Sequence, residues 1–193
     1  MRRRKQIRLR EYDYSQPGAY FITICTKDRI GMFGKIVDGD MIMHEYGNIV
    51  QLCWNVLPDH YDNIQLDEFV VMPNHIHGII IINDDAVGAG LRPAPTGNNV
   101  NPKRHGLSEI IRAFKSFSAR RINEFRHTPC AHVWQRGYYD HIIRNVQALN
   151  RIREYISTNP ERWQLDRENP DRFETDEFDM WLRAEGKRNV PVR

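Results

Sequence analysis

Residues 66–82 constrain this chain more than any other stretch. Leu66–Met72 and His75–Ile82 are both rich in valine, isoleucine and phenylalanine, the composition of buried strands. Pro73 and Asn74 stand between them, and proline cannot donate to a central ladder. The run therefore forms two adjacent antiparallel strands, or one long strand with a break. Ala19–Cys25 is another strand-like run, set off by Gln16–Pro17–Gly18. Asp38–Gly39, between Met32–Val37 and Met41–Met43, reads as a hairpin turn.

Helical periodicity fills the spaces between these strands. His44–Leu57 has apolar residues at helical spacing and is expected to stop at Pro58. Leu107–Phe125 places Ile110, Ile111, Phe114, Phe117 and Ile122 on one side and most of its bases on the other. Asn145 is a plausible N-cap for a helix that runs to Asn159 and is stopped by Pro160. Val133–Trp134 and His141–Ile143 read as short extended pieces. The expected class is α+β, an antiparallel sheet with helices on one face. The expected organisation is a basic N-terminal arm over 1–17, one domain over 18–163 and an acidic tail over 164–193. Within the domain, residues 83–106 are rich in glycine and proline and read as a flexible loop.

At 193 residues the chain can bury a core without staples. Its three cysteines are far apart and form no CxxC pair, which excludes a disulfide scaffold and a cysteine zinc finger. The longest uninterrupted apolar run, Ile79–Ile82, is far too short to span a membrane. A cytoplasmic protein is expected. Its formal net charge is +3, but the charge is unevenly placed. Arg2, Arg3, Arg4, Lys5, Arg8 and Arg10 have no acid among them. Residues 102–127 carry seven bases, Arg112, Lys115, Arg120 and Arg121 included, against two acids. Two basic blocks in a near-neutral chain point to a polyanion, although solvated helix faces are often basic too.

Three places have the residues for chemistry. His75 and His77 are two apart, so on a strand both imidazoles project from one face while Ile76 projects from the other. Paired neutral imidazoles suit a divalent metal; the plainer alternative is a half-exposed strand that happens to carry two histidines. On the helix ending at Asn159, Arg151, Tyr155 and Asn159 are spaced by four and form one column. A tyrosine there needs activation to act as a nucleophile, and the asparagine carbonyl is a hard oxygen that suits Mg²⁺ or Mn²⁺. A buried, hydrogen-bonded tyrosine is the alternative. Trp134–His141 adds Tyr138, Tyr139, Asp140 and His141, either as rival nucleophiles and ligands or as a packed turn.

The segments Val71–His77, Val133–Asn145 and Glu154–Pro160, in this order, closely resemble the HUH single-tyrosine transposases, and among them the REP-associated tyrosine transposases. The likeness spans roughly Gly18 to Trp163. It implies a ferredoxin-like HUH fold, an Mg²⁺ or Mn²⁺ ion held by His75 and His77, and Tyr155 as the nucleophile. Asn159 stands where the tyrosine helix supplies a third, amide ligand. The implied substrate is single-stranded or hairpin DNA, cleaved and rejoined through a 5′-phosphotyrosine in a nucleoid-associated protein. Arg2, Arg3, Arg4, Lys5, Arg112, Lys115, Arg120, Arg121 and Arg151 would then meet the DNA backbone. The resemblance leaves both a monomer and a homodimer open. Two other functions stay open: a non-catalytic DNA-binding module, and a metal-dependent hydrolase that uses water.

Overall fold

Strand composition decides the centre of the molecule. The computed structural model describes residues 12–84 and 105–188. Its main sheet contains β1 (Gly18–Cys25), β4 (Ile64–Val71), β5 (His75–Ile82) and β6 (Tyr139–Ile143) in the order β4-β5-β1-β6. Every neighbouring pair is antiparallel. The break at Pro73–Asn74 is a tight turn, closed by Met72 N–H donating to the His75 carbonyl at 2.9 Å. Leu66–Met72 and His75–Ile82 are therefore two strands. The hairpin of β2 (Gly34–Val37) and β3 (Asp40–Met43) forms a separate two-stranded sheet.

Between the main strands come α1 (Glu45–Asn55) with the short α2 (Leu57–His60), and then α3 (Leu107–Phe125). Strand, helix, two strands, helix, strand, with that sheet order, is the ferredoxin-like arrangement. Pro58 does not end the helical region. It lies in the first turn of α2, where its missing N–H costs no internal hydrogen bond. After β6, α4 (Val146–Thr158) starts where Asn145 Oδ1 accepts from Ala148 N–H at 2.8 Å.

Helices cover both faces of the sheet, not one. Tyr20, Ile22, Ile24, Ile76 and Ile80 point into a core filled by α1 and α3, including Trp54 and Phe114. Phe21, Ile79 and Ile143 point the other way, onto α4 and onto α5 (Glu177–Arg188). The reason is visible in β1 and β5, which are apolar at odd and even positions alike, so neither face can be left to water. Residues 164–188, read from composition as a polar tail, fold back here: Phe178 and Leu182 are buried in the second core. No helix among the described residues is long and apolar enough to cross a membrane.

Gly78 in the middle of β5 keeps the first core closed. A Cβ there would lie 2.6 Å from the Trp54 ring and 3.0 Å from Phe69, two rings stacked at 4.5 Å. Gly78→Ala is expected to destabilise the fold by about 1–3 kcal/mol through overpacking, measured by denaturant unfolding.

Candidate active site

His75 and His77 are brought to the α4 face by strand alternation, together with Phe21 and Ile79. Both are buried, at 0% and 3% exposure, rather than half-exposed. The strand is interior, and Trp163 stacks on His75 with ring centroids 6.0 Å apart. Their Nε2 atoms are 3.0 Å apart. Asn74 Nδ2 donates to the Glu168 and Arg29 carbonyls, so its Oδ1 faces His75 Nδ1 at 2.8 Å as an acceptor. His75 therefore carries its proton on Nδ1 and offers a lone pair at Nε2. Burial lowers the His75 pKa to about 4, so the imidazole is neutral near pH 7. Thr23 Oγ1 fixes His77 Nδ1 from the neighbouring strand at 2.9 Å.

α4 brings Tyr155 and Asn159 to the same point. Tyr155 Oη is 3.4 Å from His77 Nε2 and donates to Asp166 Oδ2 at 2.9 Å. The Tyr155 ring lies flat on Phe178, 3.7 Å between centroids. Burial, and then the Asp166 carboxylate, push its pKa well above the usual tyrosine value. Asn159 is fully buried; its Nδ2 donates to Asp166 Oδ2 at 2.9 Å, and its Oδ1 has no hydrogen-bond partner. α4 is held to the sheet by Arg153, which makes two hydrogen bonds to Asp67 at 2.6 and 2.8 Å.

Sequence reasoning missed Asp166. It is one acid among nine beyond residue 160, with no periodicity or partner motif to distinguish it. In the fold it lies 3.5 Å from His77 Nε2 and 3.8 Å from His75 Nε2. Burial raises its pKa, but the two imidazoles and Asn159 outweigh that and hold the carboxyl well below the ordinary range. The His75, His77 and Asp166 ligand atoms all lie within 4.8 Å of one another. Asp166 arrives with its neighbours Arg167 and Glu168. Glu168 is kept ionised against its burial by Arg167 and Arg29, with a pKa of about 2.

The other expected site residues are dispersed. Arg151 lines a groove of about 480 Å³ with Glu154, Tyr155, Arg162 and Phe178, and its guanidinium stands 4.9 Å over the Trp181 ring. Arg112, Arg120 and Arg121 are exposed on α3, which packs on the opposite face of the sheet. Lys115 directs its ammonium to the Gln135 and Gly137 carbonyls. Arg2, Arg3, Arg4 and Lys5 lie outside the described residues. Tyr138 packs against the α3 side, with its Oη 3.5 Å from Ser108 Oγ. Tyr139 is on the Tyr155 side under the Arg167 guanidinium, its pKa raised by burial to about 12. His141 packs against Trp181.

The metal reading has to fit this geometry. Bonds of about 2.1 Å to one ion place cis ligands about 3 Å apart, which is the His75–His77 nitrogen separation. The donors converge, both histidines have partners that orient them, and Asn159 Oδ1 is a buried oxygen without a partner. The residues fit a divalent cation.

Residues 100–159 match the family model described as IS200-like transposase. That stretch carries Tyr155 and Asn159; the histidine pair precedes it. A Haemophilus influenzae protein described as uncharacterized is 38% identical over 169 residues, covering 84% of this chain and 91% of its own. A second H. influenzae protein, assigned as a REP-associated tyrosine transposase, is 22% identical over 148 residues, 77% of this chain and 73% of its own. The stretch 100–159 is similar to the IS200-like transposases. The chain's fold is that of a solved REP-associated tyrosine transposase bound to a REP hairpin, with a TM-score of 0.54 at 16% identity over 81% of this chain and 73% of the other.

Proposed function

We propose that this chain cleaves and rejoins single-stranded or hairpin DNA through a covalent bond to Tyr155, with an Mg²⁺ or Mn²⁺ ion held at His75 and His77. The observation that carries this is the meeting of one tyrosine hydroxyl and two oriented imidazole nitrogens in a buried pocket: Oη to His77 Nε2 is 3.4 Å. The oxygen side of the metal position is offered by Asn159 and Asp166. A bound divalent ion would act as a Lewis acid on the scissile phosphate.

The rest is done by side chains. α4 and the Phe178 ring fix the direction of Tyr155, which is what an in-line attack demands. Asp166 Oδ2 accepts a hydrogen bond from the phenol at 2.9 Å and so aims the hydroxyl. The Tyr155 Oη–phosphorus bond forms as the phosphorus–O3′ bond breaks. The phenol proton ends on the departing O3′, so the strand is left with a free 3′-OH and the protein with a 5′-phosphotyrosine. That ester keeps the energy of the phosphodiester, so a second 3′-OH can reverse the step. Arg151 and Arg162 give the groove at Tyr155 cations for the flanking backbone, and Phe178 offers an aromatic face.

The test is to incubate the chain with labelled hairpin DNA and Mn²⁺ and look for a denaturant-resistant protein–DNA adduct. Cleavage without an adduct means a hydrolase, and binding with neither means a DNA-binding module. DNA binding is also expected to weaken steeply with salt. About five phosphate contacts give a log–log slope near −3.5 for single strands. A flat response by fluorescence anisotropy removes the electrostatic argument.

A further inference from the structure

Resting on Tyr155 as the nucleophile, we propose that Asp67 and Arg153 are a positioning pair for the reaction: they clip α4 to the edge of the sheet and so set where the Tyr155 hydroxyl stands against the histidines. Arg153 Nε and Nη2 donate to Asp67 Oδ1 and Oδ2 at 2.8 and 2.6 Å. A two-pronged guanidinium–carboxylate contact fixes direction as well as distance. It joins β4, the neighbour of the histidine strand, to the helix that carries the tyrosine.

The sheet is shaped to present this carboxylate. Leu66 pairs with Ile80 and Phe69 with Gly78, so Asp67 and Glu68 together stand opposite the single residue Ile79. That is a β-bulge, a device that re-aims side chains. Leu66 and Phe69 both pack on the core of α1 and α3. Asp67, next after Leu66, turns to the opposite face, where Ile79 meets α4. Glu68 N–H donates to Asp67 Oδ1 at 2.8 Å, which orients the carboxylate from its own strand. Three residues further along β4, Val70 pairs with His77.

On α4 the pair supplies what the apolar face cannot. Ile152, Tyr155 and Ile156 are buried toward the sheet. Their burial holds the helix down without choosing its roll, because the hydrophobic effect is non-directional. Arg153 and Arg151 leave α4 on opposite flanks, one to Asp67 on β4 and the other over the Trp181 ring of α5. The clip is two residues before Tyr155, whose Oη is 3.4 Å from His77 Nε2. The side chains of Arg153 and Asp67 are 41% and 12% exposed. An exposed ion pair adds little to stability, so the effect of losing this one is expected in the chemistry rather than in unfolding.

The experiment follows single-turnover adduct formation by the full chain on labelled hairpin DNA with Mn²⁺. DNA affinity is read by fluorescence anisotropy and folding by thermal melts. Arg153→Ala and Asp67→Ala are each expected to lower the rate at saturating DNA by about 10- to 100-fold, the cost of a reacting group displaced by up to about 1 Å, with parent-like affinity. The double variant is expected to be no slower than the slower single one, since both changes break one interaction. Arg153→Lys keeps the charge but loses the fork, and is expected to stay below the parent rate. If an alanine variant does not fold, the isosteric Asp67→Asn is read instead, with a loss of rate again expected. A parent rate in any single variant, losses that follow DNA affinity, or single losses that multiply in the double variant overturn the pair's role and leave Tyr155 as the nucleophile. A parent chain that forms no adduct overturns the proposed reaction and the pair's role with it.

Discussion

Tyr155→Phe is expected to abolish the covalent protein–DNA adduct, a loss of at least about 10³-fold, as when a nucleophile is removed elsewhere. Tyr138→Phe and Tyr139→Phe should keep it. Phenylalanine retains the ring stacked on Phe178 at 3.7 Å and removes the hydroxyl that donates to Asp166. The fold should survive, at a cost of about 1–3 kcal/mol for the donor lost to a buried carboxylate, read from thermal unfolding. The rivals are placed differently. Tyr138 is packed on the α3 side of the sheet. Tyr139 is on the right side but lies under the Arg167 guanidinium, 5.1 Å from its ring centroid. An adduct that persists in Tyr155→Phe and disappears in Tyr139→Phe would reassign the nucleophile.

His75→Ala and His77→Ala are each expected to reduce DNA cleavage by at least about 10²-fold. Chelation of the parent chain should do the same, with activity restored by Mg²⁺ or Mn²⁺. Both side chains are buried, so alanine leaves a cavity beneath Trp163, and a stability loss of about 1–3 kcal/mol is expected as well. The two effects separate cleanly. Folding is checked by unfolding without metal, and cleavage is measured at a temperature where each variant is folded. A folded double variant that cleaves at the parent rate, or a parent chain indifferent to chelation, would show that the histidines serve packing alone.

How much of this was legible in the sequence depends on the range of the interaction. Local rules carried the elements: the apolar runs of β1 and β5, the Pro73–Asn74 turn, the Asn145 cap and the span of α3 all follow from residues within a few positions of one another. The column of Arg151, Tyr155 and Asn159 and the shared face of His75 and His77 follow from helical and strand periods alone. Which face of the sheet each helix covers is not local. Apolar residues at both parities of β1 and β5 already demand two covered faces, but not which helix lies on which. The meeting of β5 with α4, which sets Tyr155 3.4 Å from His77, comes from the sheet order and from α4 folding back onto the Phe21 and Ile79 face directly after β6.

Asp166 belongs wholly to the tertiary structure. In sequence it is one acid in a polar stretch, and composition placed that stretch outside the domain. Phe178 and Leu182 reverse that, because burying them against α4 draws residues 164–188 back over the sheet. The carboxylate is thereby carried to two histidines some ninety positions earlier in the chain. Composition and periodicity determined that this protein has strands with a histidine pair and a helix with a tyrosine. Only the packing of distant apolar side chains decided that a carboxylate completes the pocket between them, because no short-range rule couples residues 75, 155 and 166 until the core that joins them has closed.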